Sequence, residues 1–241
     1  MRKIFVLILL LATTTTFAQM KIRPGVIAGF EISNMEIKVP NDLGEFRYDE
    51  SLSPKGGYKF GLLGEYMFFS DTDSRVGIEV GGVWSQRGFK YKETYSYDDV
   101  RVFVKGTDRI NYLMVPVNLK GGFGANDWYW DIFAGFYVGG ALNGKRNVEF
   151  HYIGPEIDER VAENRHLKFG RKYDYNKYDF GWQIGTGIEY KGIFARLQVD
   201  LGRRNLTATS MLSQILGDLL HDDLGMRNLN VGLSVGYLIG R

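Results

Sequence analysis

The sequence predicts an all-β protein: an eight-stranded antiparallel up-and-down transmembrane β-barrel with long extracellular loops. Three observations carry this. The first is a pair of strict alternations that meet at Lys191-Gly192. Before the turn, Tyr178, Phe180, Trp182, Ile184, Thr186, Ile188 and Tyr190 share one face, and Asp179, Gly181, Gln183, Gly185, Gly187 and Glu189 share the other. After it, Ile193, Ala195, Leu197, Val199 and Leu201 are apolar, while Arg196, Gln198, Asp200 and Gly202 are polar or small. A two-residue turn sets residue 190 opposite residue 193, so Ile184 pairs with Val199, Gly187 with Arg196 and Gln183 with Asp200. A slip of one residue would mix the faces, which specifies the register. The second observation is the same period-two pattern in six more segments, giving an even strand count. The third is alternation of connection length. Short connections fall around residues 70–74, 124–127 and 191–192, and long ones at about 35–56, 92–108, 145–177 and 203–227. Short periplasmic turns with long extracellular loops are the asymmetry of outer-membrane barrels.

The chain opens with a targeting segment. Arg2 and Lys3 precede an apolar run over residues 4–12, and a small-residue stretch ends in Phe17-Ala18-Gln19. This predicts a signal peptide over residues 1–18, cleaved after Ala18, followed by one barrel domain over residues 19–241. There is no Cys, so neither a lipid-anchored Cys nor a disulfide framework follows the leader. The formal charge is +2, and losing Arg2 and Lys3 brings the mature chain close to neutral, which points away from nucleic acid. No later stretch approaches the roughly 18 consecutive apolar residues of a transmembrane helix.

The first strand, about residues 21–34, sets Ile22, Val26, Ala28, Phe30 and Ile32 against Arg23, Gly25, Gly29, Glu31 and Ser33. The second, about 57–69, sets Tyr58, Phe60, Leu62, Tyr66 and Phe68 against Lys59, Gly61 and Glu65. The third, about 75–91, sets Val76, Ile78, Val80 and Trp84 against Gly77, Glu79, Gly81, Ser85 and Arg87. The fourth, about 109–122, sets Leu113, Val115, Val117 and Leu119 against Tyr112, Asn118 and Lys120. Pro116 lies inside it and cannot donate to a ladder, so a bulge or local unpairing is expected there. The fifth, about 128–144, sets Trp130, Ile132, Phe136, Val138 and Leu142 against Asp131, Gly135, Tyr137 and Gly139. The hairpin described first supplies the sixth and seventh. The eighth, about 228–240, sets Leu229, Val231, Leu233, Val235, Tyr237 and Ile239 against Asn230, Gly232, Ser234 and Gly236. A soluble lipocalin-like barrel would reverse the faces. The glycines argue against it: they sit on the polar face across from long side chains, where a narrow, side-chain-filled interior needs room and a solvated exterior does not.

Three stretches resemble the PorT-like outer-membrane β-barrel family. They are Ile110-Asn111-Tyr112-Leu113-Met114-Val115-Pro116-Val117-Asn118-Leu119-Lys120, the run Asp179-Phe180-Gly181 with Gly185-Thr186-Gly187-Ile188-Glu189-Tyr190, and the closing residues 230–237. The resemblance implies the same barrel in the bacterial outer membrane. It carries no activity, because that family is defined by architecture; one member type assists a secretion system of gliding and pathogenic bacteria. Such chains usually end on an aromatic residue read by the barrel-insertion machinery, whereas this one ends Tyr237-Leu238-Ile239-Gly240-Arg241.

The inward face is expected to carry Arg23, Glu31, Lys59, Glu65, Glu79, Arg87, Lys120, Asp131, Asp179, Glu189, Arg196 and Asp200. With both signs mixed and eight strands leaving no open channel, a paired network filling the lumen is expected rather than a conduit. His151, His166 and His221 fall in the expected loops. His151 with Glu149, or His221 with Asp222 and Ser213, is the nearest approach to a rim-located hydrolytic site, and neither has diagnostic spacing. Asp71-Thr72-Asp73 and Asp222-Asp223 are acid pairs without the spacing of a Ca²⁺ loop. No catalytic, metal or cofactor motif is present. In the last loop, Leu212, Ile215, Leu216, Leu219 and Leu220 would share one face of a helix, either plugging the barrel mouth or contacting a partner.

The expected protein is therefore a small, non-enzymatic integral outer-membrane barrel whose loops bind something or serve envelope structure. The alternatives are an accessory component of an outer-membrane secretion or transport complex and a rim-located lipid-modifying enzyme. The partners implied are outer-membrane lipid, the barrel-insertion machinery and an envelope protein docking on the extracellular loops, with no cofactor and no nucleic acid.

Overall fold

The structure, a computed structural model, describes residues 22–38, 50–97, 100–125, 127–155, 157–170, 173–204, 206 and 225–240. The leader over residues 1–18, the expected helix face of Leu212, Ile215, Leu216, Leu219 and Leu220, and Ser213, His221 and Asp222-Asp223 lie outside them. Among the described residues nine strands are formed: β1 (Ile22–Lys38), β2 (Glu50–Ser70), β3 (Ser74–Tyr97), β4 (Val100–Ala125), β5 (Trp128–Gly154), β6 (Ile157–His166), β7 (Tyr178–Tyr190), β8 (Ile193–Gly202) and β9 (Gly225–Leu238). Eight of them close an antiparallel ring, β1-β2-β3-β4-β5-β7-β8-β9, and β9 pairs back onto β1. β6 stands outside the ring and pairs with the far end of β5, from Lys145↔His166 to Gly154↔Ile157.

The β7–β8 hairpin has the expected register, with Tyr190↔Ile193, Gly187↔Arg196 and Ile184↔Val199. Its turn places Lys191 at φ 50° and Gly192 at φ 88°, the left-handed pair that matches the twist of flanking strands. Side chains then alternate as the pleat dictates. Ile184, Ile188, Leu197 and Leu201 are exposed on the outside, while Gln183, Glu189, Arg196 and Asp200 are buried inside. The same holds around the ring, where Val26, Leu62, Leu119, Phe136 and Leu233 all face outward. An apolar exterior of this extent, ringed by Tyr66, Phe123, Trp128 and Trp130 toward one edge and by Phe30, Tyr58, Phe180 and Trp182 toward the other, is what a bilayer requires of a barrel. Gly185 shows why glycine is used inside: a Cβ there would lie 2.2 Å from the ring of Phe133.

Pro116 breaks the ladder to β3, whose pairs resume from Val80↔Val117 to Val83↔Met114 without a change of register. The register shift on the other side of β4 falls higher, at Asn111/Tyr112, where Leu142 of β5 is bypassed.

Three expected loops are largely strand. Residues 92–108 form the upper part of a hairpin that pairs up to Tyr97↔Val100. Residues 145–154 and 157–166 pair as the upper end of β5 with β6, and the 35–56 connection is shortened by β1 reaching Lys38 and β2 starting at Glu50. The physical reason is shared. Above Asn34, Gln86, Asn111 and Asn143 the outward side chains no longer meet lipid. The strands continue there while the apolar alternation that marks them ends. The inward face is also less polar than expected. Ile27, Leu63, Val83, Phe194 and Leu238 form a buried apolar cluster within the lumen.

Candidate functional site

The lumen is filled in layers. Nearest the short turns, three cations meet three carboxylates. Arg75 Nη2 lies 2.6 Å from both Asp131 and Glu189, Lys120 Nζ lies 3.2 Å from Asp131 and contacts Glu65, and Arg23 contacts Glu189. Arg75 is not among the charged residues expected on the inward face; its signal in the sequence is its parity with Gly77 and Glu79. In the next layer Arg196 Nη1 lies 2.8 Å from Glu79, and Asn118 donates to Gln183 at 2.7 Å. Gln183 and Gln198 each donate to Asp200 at 2.8 Å. Higher still, Arg87 contacts Asp200 and stands 3.8 Å from Glu31 and 3.7 Å from Asp179. Tyr137 and Asn228 donate to Asp179 at 3.1 and 2.8 Å, and the Arg87 guanidinium sits over the Tyr137 ring. Charged groups this deep carry a desolvation cost of several kcal/mol each, which pairing offsets. Two voids beside these groups measure about 10 and 20 Å³, the room of about one water each. Lys59 lines the larger of them beside Glu31, Arg87 and Asp200.

Above this network an apolar plug closes the mouth. The segment between β6 and β7 folds inward, with Leu167 N donating to Gly144 O at 3.0 Å and Phe169 bridging to Tyr175. Leu167, Tyr175 and Leu206 then pack on Phe89, Ile110 and Tyr112 from the barrel wall. A polar latch holds the plug. Arg146 Nε donates to Asp108 at 2.8 Å, Tyr175 OH also donates to Asp108, and Arg165 grips Asp174 at 2.7 Å. Burial, with Asp108 beside it, pushes the Tyr175 phenol well above its ordinary range. Burial alone would raise the Asp174 carboxyl. The hydrogen bonds from Arg165 and the Lys168 amide, with the Arg165 and Arg146 charges, outweigh this and hold it low.

These two directions set a pH window. A depressed Asp174 stabilises the plug above the unfolded value of about 4 and loses that contribution as pH falls through its lower folded value. A raised Tyr175 stabilises it below about pH 10 and loses that contribution as pH rises. Hydrogen-exchange protection of amides 167–170 and 173–177 should therefore be flat between about pH 4 and 10 and fall on both sides. Tyr175→Phe should shrink the alkaline fall, leaving the part due to Tyr91, which burial also raises and which packs on the same cluster, and should not touch the acid fall. Protection that ignores pH across both limits would show that the latch does not hold the plug.

On the outer face of the β5–β6 hairpin, His151 Nε2 lies 2.8 Å from Asp158 Oδ1, rather than against Glu149. The ring also meets Phe103. A His–Asp pair orients an imidazole, and acyl transfer needs a nucleophile besides. Among the described residues, the hydrogen bond of His151 goes to Asp158. His166 ends β6, across from Lys145 and away from this pair. Asp71 and Asp73 belong to a short turn, in which Asp71 Oδ1 accepts from the Thr72 amide at 2.7 Å.

The family described as "Outer membrane protein beta-barrel domain" matches residues 17–207. No curated protein matches the chain. Among solved structures, the chain is similar to OprG of Pseudomonas aeruginosa at 10% identity and TM-score 0.40, covering 91% of this chain and 97% of that one. It is similar to Ail of Yersinia pestis at 12% identity and TM-score 0.33, covering 90% and 97%. It is also similar to the outer membrane protease OmpT of Escherichia coli at 12% identity and TM-score 0.34, covering 90% and 95%. Likeness at this level says nothing about activity.

Proposed function

Because the chain belongs to the outer membrane protein beta-barrel domain family, and so to the bacterial outer membrane, we propose that it is a sealed, non-enzymatic barrel. Its role is to anchor an extracellular sheet for binding or envelope structure. One observation carries this: the lumen holds a charge-paired network topped by an apolar plug, while β3 to β6 rise well beyond the apolar band. A conduit would be wasteful of so many buried ions; an anchor needs a rigid wall and a projecting surface. The PorT-like kinship, export by a leader cleaved after Ala18, and docking of an envelope protein on the extracellular elements belong to the same reading. An enzymatic reading would rest on His151 with Asp158.

The test is conductance. The refolded chain in planar bilayers should give no stable current steps. Steady channels of porin-like size would overturn the sealed-barrel reading. Turnover of a lipid or peptide substrate that disappears in His151→Ala would replace it with the enzymatic one.

A further inference from the structure

Above the apolar band, the two faces of the projecting sheet differ in charge balance. On the inward face, cations meet carboxylates, as Arg146 meets Asp108 and Arg165 meets Asp174. On the outward face the pairing registers assemble rows across β3, β4, β5 and β6. The lowest row joins Arg109, Lys145 and His166, and the next joins Lys90, Thr107, Asn147 and Asn164. Neither row contains a carboxylate. The third row adds Lys92 and Lys105, with Glu149 across from Lys105. Lys90, Arg109 and Lys145 are exposed. Strands lie about 4.8 Å apart and rows about 7 Å apart, so these cations share a patch the size of a diphosphorylated sugar headgroup.

Two further observations point to an anion. Lys55, at the irregularity in β2, has its ammonium lowered first by burial and then by the nearby Arg109 and Lys90 charges. The cationic field that Lys90 and Arg109 set up at Lys55 is relieved by a bound anion. Its depth is also telling. Arg109 lies two residues above Asn111, about 7 Å beyond the end of the apolar exterior, which is where lipid headgroups sit.

We propose that this outward basic face docks the phosphate groups of a phosphorylated glycolipid in the outer leaflet, with Lys90, Arg109 and Lys145 as the principal contacts. The inference rests on the reading of the chain as an outer-membrane anchor. It adds what the anchor holds, and a conducting lumen would leave it intact.

The experiment uses the full chain refolded in detergent micelles, with bound and free barrel counted by native mass spectrometry as lipid A is titrated in. Phosphorylated lipid A should bind. Lipid A stripped of its phosphates should bind roughly a hundredfold more weakly at low salt, and so should the Lys90→Gln/Arg109→Gln/Lys145→Gln variant against intact lipid A, at about a factor of five per cation. High salt should erase most of the difference, because exposed charges are screened. Lys191→Gln, at the short-turn end, should bind as the unaltered chain does. Unboiled gel mobility establishes that each variant is folded; if the triple variant is not, Lys90→Gln alone should still show about a fivefold loss. Equal binding of phosphate-free lipid A, or an unchanged affinity of a folded variant, would overturn the proposal. Binding of heparin that matches or exceeds that of lipid A would overturn it in favour of a soluble polyanion.

Discussion

Arg87→Met should cost about 3–5 kcal/mol of folding free energy, because it leaves buried carboxylates without their counter-charge. Arg87 is the guanidinium among Glu31, Asp179 and Asp200, all of them nearly inaccessible. Asp200 keeps hydrogen bonds from Gln183 and Gln198, and Asp179 keeps those from Tyr137 and Asn228. Those neutral donors do not replace a charge in a medium this poor in water. Methionine preserves the bulk of the side chain, so the loss reports charge rather than a cavity. The measurement is reversible urea unfolding in lipid vesicles. An exposed control, Arg101→Met, should stay within about 0.5 kcal/mol. A cost below about 1 kcal/mol at Arg87 would mean that the network is hydrated and that the lumen is not sealed.

Ile184→Lys should cost about 2–4 kcal/mol, against about 0–1 kcal/mol for Ile193→Lys. Both residues are exposed on the outside, at 53% and 62%. Ile184 lies midway along β7, whereas Ile193 directly follows the Lys191-Gly192 turn. Depth alone separates them: a lysine at the midplane must be desolvated, while one beside the turn reaches the interface. The same unfolding measurement decides. Equal costs would remove the depth assignment, and no cost at Ile184 would reverse inside and outside for the whole hairpin.

The β7–β8 hairpin was legible to the residue because two constraints coincide there. Its outward side chains meet lipid along the full length of both strands, and Lys191-Gly192 fixes the turn. β6 shows the opposite case. Its sequence, Ile-Asp-Glu-Arg-Val-Ala-Glu-Asn-Arg-His, is exposed to water along most of its length, so no solvent contrast writes a period into it. Once β6 is unseen, Asp158 cannot be placed beside His151, nor Arg165 beside Asp174. The plug was hidden for a related reason. Leu167, Phe169 and Tyr175 sit among charged residues and become a unit only when the chain folds back into the barrel mouth. Inside the barrel, the charged positions were readable from parity. Leu63, Val83 and Phe194 were not, because a narrow lumen selects for packing volume as much as for polarity.

The central claim is that the alternate faces of this ring lie in lipid and in a closed interior. Tryptophan fluorescence in vesicles of brominated phosphatidylcholine tests it most directly, since bromine quenches only rings that touch the acyl chains. All four tryptophans, Trp84, Trp128, Trp130 and Trp182, fall on the outward face. Most of the emission should therefore be lost relative to vesicles without bromine, and Trp182→Phe should remove part of the quenchable signal. Emission that is the same in both lipids would place the tryptophans inside and contradict the account.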